Sequence, residues 1–289
     1  MSRVPEGVER SQLVIAARRI LLDGLTALRP HLEALTVVGA QAVYLRTPAA
    51  AMRNAPFTSD ADLSIDPAML GPRPRLDEAL RTAGFDLIHD NQPGLWGRIE
   101  RVDDQDVQIE LDLLIGRELL DDPGRRSARI PPHHQMTARW VTGLEICAVD
   151  RSPLLIQSLD PADTRSVTAH VAGPAALLAA KLYKIRERLD NVGARPDRLT
   201  NKDAGDVYRI MATIPVSQMS ATFVTLVHDP RVGAVTTRGI ELLRELFGGA
   251  RTPGVALAVE AHAGDIPENT IRTVAPAYVG RFIAELENL

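Results

Sequence analysis

Asp60 and Asp62 stand two residues apart in the run Thr58-Ser59-Asp60-Ala61-Asp62-Leu63-Ser64-Ile65. The alternation of polar and apolar residues reads as a strand, and residues two apart on a strand project from one face. Both carboxylates therefore address the same spot. Held that close, they repel unless a cation neutralises them, and oxygen-only ligands of this kind suit Mg²⁺ or Mn²⁺. Residues 107–114, Val-Gln-Ile-Glu-Leu-Asp-Leu-Leu, read as a central strand with one polar face. Glu110 and Asp112 share that face, and either can supply a third carboxylate. Asp112 lies deeper in the apolar run and is preferred, so the expected metal set is Asp60, Asp62 and Asp112.

A second constellation lies downstream. Pro174 opens a helix over residues 174–188, a favourable first helical residue. Lys181 follows an almost wholly apolar stretch, so its stem is expected to be packed and its ammonium directed. Lys184 and Arg188 lie along a neighbouring row. Asn201 or Asp203 is expected to cap the helix that follows. From residue 181 to 202 there are seven Lys/Arg against Glu187, Asp190 and Asp197. A local positive surface beside a carboxylate–metal site suits a phosphate-rich substrate.

The elements that must position these residues follow from hydrophobic spacing. Residues 9–28 read as a helix, Leu35–Val38 as a strand, and Gln41–Arg46 as a helix after the Gly39 turn. Residues 47–57, with two prolines, form a loop into the Asp-x-Asp strand. Leu76–Ala83 is a helix ending at Gly84. Residues 85–88, 96–102 and 107–114 are strands, the last two antiparallel and joined by the acidic turn 103–106. Residues 144–149 and 154–159 are expected to be strands, and residues 255–263 fit helix or strand. His133-His134 beside Pro131-Pro132 reads as an exposed loop. The expectation is an α/β domain over 1–165, a mixed sheet with flanking helices, followed by a mainly helical domain over 166–289.

Composition narrows the classes. With 289 residues and 45% hydrophobic content, a sizeable core is available. Only 4% are aromatic, so the core is built from Leu, Val, Ile and Ala. The formal net charge of −4 restricts any nucleic-acid contact to a local patch. A single cysteine, Cys147, excludes an internal disulfide and fits a reducing compartment. No segment reads as membrane-spanning, and the N-terminus lacks a signal-peptide layout, so a cytoplasmic protein with no membrane partner is expected. No His or Cys spacing supports zinc.

Taken together, Gly39-Ala40, Thr58-x-Asp60-x-Asp62, Ala180-Lys181-Leu182 and Lys202-Asp203-x-x-Asp206 resemble the nucleotidyltransferase superfamily with its polymerase-β-like fold. Within it they are most similar to the AbiEii/MenT-type nucleotidyltransferase toxins. The resemblance covers residues 37 to 210. It departs at Ala40, where a second glycine is usual, and at Gln41, where many such enzymes carry Ser. The resemblance implies transfer of a nucleoside monophosphate from an NTP to an acceptor, for the toxin branch the 3′ end of tRNA. It also implies a cognate antitoxin. By the same resemblance Asp60, Asp62 and Asp112 hold the metal, while Lys181 meets phosphate charge and Asp203 orients Lys181 or the nucleotide. Gly39, Ala40, Thr58, Arg53 and Lys184 are the nucleotide-binding candidates. A small-molecule or protein acceptor, or a non-catalytic module of the same fold, are the competing expectations.

Overall fold

The computed structural model describes residues 6–48, 52 and 58–288. The fold is α/β, a mixed eight-stranded sheet with flanking helices and a helical C-terminal region. In chain order the described elements are α1 (Arg10–Ala27), β1 (Leu35–Val38), α2 (Gly39–Arg46), β2 (Asp60–Ile65), α3 (Leu76–Thr82), β3 (Asp86–Leu87), β4 (Leu95–Val102), β5 (Gln105–Gly116), β6 (Arg139–Val141), β7 (Arg151–Gln157) and β8 (Ser166–Ala172). Then come α4 (Pro174–Asp190), α5 (Lys202–Thr213), α6 (Val216–Val227), α7 (Gly233–Phe247), α8 (Pro253–Ala261) and α9 (Glu268–Asn288).

The chain forms two compact units. The first takes residues 6–42 and 58–172 and holds the whole sheet, in the order β3-β4-β5-β2-β1-β8-β7 with β6 against β5. β1 runs antiparallel to β2, β2 parallel to β5, and β5 antiparallel to β4. α1 covers one face, packing on β2, β4, β5 and β8 through Leu13, Ala17, Ile20, Leu21 and Leu25, all buried. Each such leucine or isoleucine contributes about 1.5–3 kcal/mol on burial. The helix comes close to the sheet at Gly24, where a Cβ would lie 2.8 Å from Cδ2 of Leu111. Leu111 thus faces α1, and by strand alternation Glu110 and Asp112 project from the other side.

The second unit takes residues 43–48, 52 and 173–288. Its helices pack around Leu178, Leu182, Phe223, Leu243, Phe247 and Phe282, all buried. α5 packs on α4 and α8, α7 on α4, and α6 on α9.

Several sequence expectations are corrected. Residues 145–148 form a 3₁₀ turn, not a strand, because the buried Glu145 carboxylate accepts the N–H groups of Gly143 and Glu118 and curls the chain. The strand expected over 154–159 is β7, three residues earlier at its start. The sheet continues through β8 to Ala172, so the first unit ends seven residues beyond the expected 165. The β4–β5 turn is only Asp103-Asp104, both at positive φ, while Gln105 and Asp106 already pair with Val102 and Arg101. Residues 253–261 are helical, one of the two readings left open for 255–263. His133 is buried rather than exposed: its Nδ1 accepts the Leu76 N–H and its Nε2 donates to the Gly71 carbonyl. Among the described residues, no single helix is long and apolar enough to cross a membrane.

Candidate functional site

The first unit gathers the acids through strand register. β2 and β5 pair in parallel with Asp60 opposite Glu110 and Asp62 opposite Asp112. Parallel partners project from the same side, so four carboxylates share one patch of one face. Asp112 is 9% exposed and is met by Arg139 from β6, whose Nη2 donates to Asp112 Oδ2 over 2.7 Å. Its other oxygen, Oδ1, is buried without a hydrogen-bond partner. Burial pushes the Asp112 carboxyl up to about 7; Arg139 opposes the rise, and Asp62, Glu110 and Asp60 add to it. Glu110 is also raised, by burial first and then by the charge of Asp60.

Gly39 begins α2 at φ +70, a conformation L side chains rarely adopt. A Cβ there would lie 1.9 Å from Oδ2 of Asp62, so only glycine lets the helix start meet that carboxylate. Ala40 is buried in the helix. Thr58 is buried, and its hydroxyl donates to Asp60 Oδ1, holding the acid's orientation. Gln41 is an internal brace: its Nε2 donates to the carbonyls of Ala17 and Asp60, and its Oε1 accepts from Arg18 Nε. The side chain in the place of the usual Ser thus fixes the backbone of the first acid. Arg53 lies outside the described residues.

Among the described residues, no three His, Cys, Asp or Glu side chains already converge as a ligand set. The donor chemistry nevertheless fits a divalent ion. The orphaned Asp112 oxygen, its raised carboxyl pKa and three further acids on the same face are a donor set that suits such an ion.

The second unit holds the other constellation. Lys181 on α4 donates from Nζ to Asp203 Oδ1 at 2.8 Å and to Asp206 Oδ2 at 2.7 Å, both on α5. All three are at most 5% exposed. Arg188 donates to Asp203 Oδ2 at 2.7 Å, and half-exposed Lys184 lies 3.5 Å from Oδ1. Burial works against the Lys181 charge, but the two carboxylates overcome it and hold the ammonium above its ordinary pKa. Burial likewise works against Asp203, and Lys181, Lys184 and Arg188 hold it well below the usual carboxylate range. Asp203 is therefore an ion-pair centre. The expectation that Asn201 or Asp203 caps α5 is not met, since Asn201 makes no side-chain cap bond and Asp203 turns to Lys181.

Each constellation is thus assembled within its own unit: Asp60, Asp62 and Asp112 with Gly39 and Thr58 in the first, Lys181, Asp203 and Lys184 in the second. Sequence reading missed Arg139, Asp206 as the second partner of Lys181, and the Arg18–Gln41 brace. Comparison with family profiles, with curated protein sequences and with solved structures returns no match.

Proposed function

We propose that the chain is a metal-dependent nucleotidyltransferase of the AbiEii/MenT type, transferring a nucleoside monophosphate from an NTP to the 3′ end of tRNA. As the toxin of a toxin–antitoxin pair, it would block translation until its antitoxin neutralises it. The observation that carries this reading is the parallel β2–β5 register, which sets Asp60 and Asp62 beside Glu110 and Asp112 on one face. Gly39, against Asp62, supports it: a helix start at a carboxylate pair is a place for a triphosphate and its counter-ion.

Asp60, Asp62 and Asp112 would hold Mg²⁺ or Mn²⁺, which when bound supplies charge neutralisation along the triphosphate and a lower pKa for the attacking hydroxyl. Thr58 and Gln41 keep Asp60 in place through its side chain and its carbonyl. Lys181, neutralised by Asp203 and Asp206, anchors the helix pair that carries the basic run 181–202, whose exposed members such as Lys184 suit a polyanionic acceptor.

The test is label transfer from each of the four NTPs to total tRNA with Mg²⁺ or Mn²⁺. Label on the tRNA 3′ end, lost in Asp60→Ala, is the expected result. No transfer from any NTP overturns the proposal, and growth arrest that persists in Asp60→Ala would point to a non-catalytic module.

A further inference from the structure

We infer that Arg139 is a phosphate-binding residue held in reserve by Asp112. Its guanidinium neutralises Asp112 until a divalent ion takes that role, then turns to the triphosphate when metal and nucleotide arrive. The inference rests on the nucleotidyltransferase reading and adds a residue to it.

Four observations carry it. The contact is a single one, from Nη2 to Oδ2 at 2.7 Å, leaving Asp112 Oδ1 buried and partnerless. A guanidinium committed permanently to a carboxylate commonly binds both oxygens. The side chain of Arg139 is 33% exposed against 12% for Asp112, so it reaches the acid from the solvent side and can leave by the same route. Its backbone, by contrast, is fixed. Residues 139–141 pair with 114–116 of β5, a Cβ at Gly94 would fall 2.7 Å from the Arg139 nitrogen, and the neighbouring Trp140 donates to the Gly124 carbonyl. Motion is therefore confined to the side chain. Finally, the planar fork suits phosphate as well as carboxylate, so the exchange replaces one good partner with another.

The exchange predicts opposite effects on two affinities. Mn²⁺ binding to the full chain is measured by electron paramagnetic resonance, first alone and then with NTP analogues whose α,β-bridging oxygen is replaced by NH. In Arg139→Gln, Asp112 loses its stand-in cation, so Mn²⁺ alone binds about tenfold tighter. The Mn²⁺–analogue complex, lacking its arginine, binds about tenfold weaker. Asp112→Asn combined with Arg139→Gln abolishes the first gain. Arg139→Lys, which keeps the charge and the packed stem, shows the same signs in smaller measure and serves if the glutamine variant does not fold. Unchanged or weakened Mn²⁺ binding in both Arg139 variants, with the parent binding normally, overturns the inference alone. If the parent binds no Mn²⁺ with or without nucleotide, the nucleotidyltransferase reading fails and the inference falls with it.

Discussion

Asp112 and Lys181 both carry charge into the interior, and the structure satisfies one far better than the other. Lys181 has two carboxylates within 2.8 Å, whereas Asp112 has one guanidinium and an idle oxygen. Removing one partner of a buried pair strands the other, at about 3–5 kcal/mol. Lys181→Ala is therefore expected to lose about that much in a urea titration, with Asp203 and Asp206 left facing each other. Any activity lost in that variant has to be set against its folded fraction. For Asp112 the sign is reversed. Its folded-state pKa, near 7, lies above the ordinary 3.8, so the folded protein binds the extra proton between those values. Its contribution to stability is most favourable below about pH 4 and is lost as pH rises toward 7. Asp112→Asn should thus gain stability over the parent as pH goes from 5 to 8, read as the difference in urea midpoints. Added Mn²⁺ should stabilise the parent more at pH 8 than at pH 5; equal effects would disconnect the ion from this carboxyl.

Among the elements, one turn bears on the acids directly and another only on the strand beside them. Gly39 starts α2 where any side chain would strike Asp62. Gly39→Ala is expected to cost about 1–2 kcal/mol for the left-handed backbone alone, and displacing Asp62 by an ångström lowers label transfer about 100-fold. The β4–β5 hairpin turns on Asp103-Asp104, both left-handed, a geometry that favours glycine at the second place. Asp104→Gly should therefore raise the unfolding free energy by about 0.5–1 kcal/mol, read from a urea titration, without touching the chemistry. Asp103 is better left in place, since its Oδ2 accepts the Glu9 N–H ahead of α1.

These elements also mark how far sequence could be read. The period-two pattern of β2 and β5 made their acids visible, because a buried strand face with carboxylates breaks the expected apolar run. Their shared register was not visible, since parallel pairing joins segments 50 residues apart with no turn to signal it. Arg139 arrives on a three-residue strand after a loop of prolines and histidines, too short for any periodicity. The 3₁₀ turn at 145–148 hid behind an apolar Ile-Cys-Ala triplet, the shaping contact being the one buried glutamate before it. Lys181 was legible as a packed lysine, but its second carboxylate, Asp206, emerged only once α4 and α5 were seen together.

At the scale of the whole molecule, the chain crosses between its two units three times. It leaves the first after residue 42, returns by residue 58 and leaves again at 172. Within the second unit, Arg209 of α5 donates from Nε to Thr47 Oγ1 at 2.8 Å and from Nη2 to the Thr47 carbonyl at 3.2 Å, and lies over the Tyr44 ring. A fragment ending at residue 172 would leave that early segment without its helical partners. It is expected to unfold less cooperatively than the full chain, with a broadened thermal transition, although every strand of the sheet is retained. A sharp, reversible transition for that fragment would show that residues 43–52 are dispensable to it.

The repeated crossing has a bearing on ancestry. A C-terminal appendage joined by one linker can be traded between genes in a single recombination event, but a half that has taken in a piece of its neighbour cannot. Exchanging the whole second unit of this protein for another would need three coordinated breakpoints, one inside the α2 helix, one ahead of β2 and one after β8. Change in this protein is therefore expected to proceed by point substitution within its two-part frame rather than by shuffling of ready-made parts.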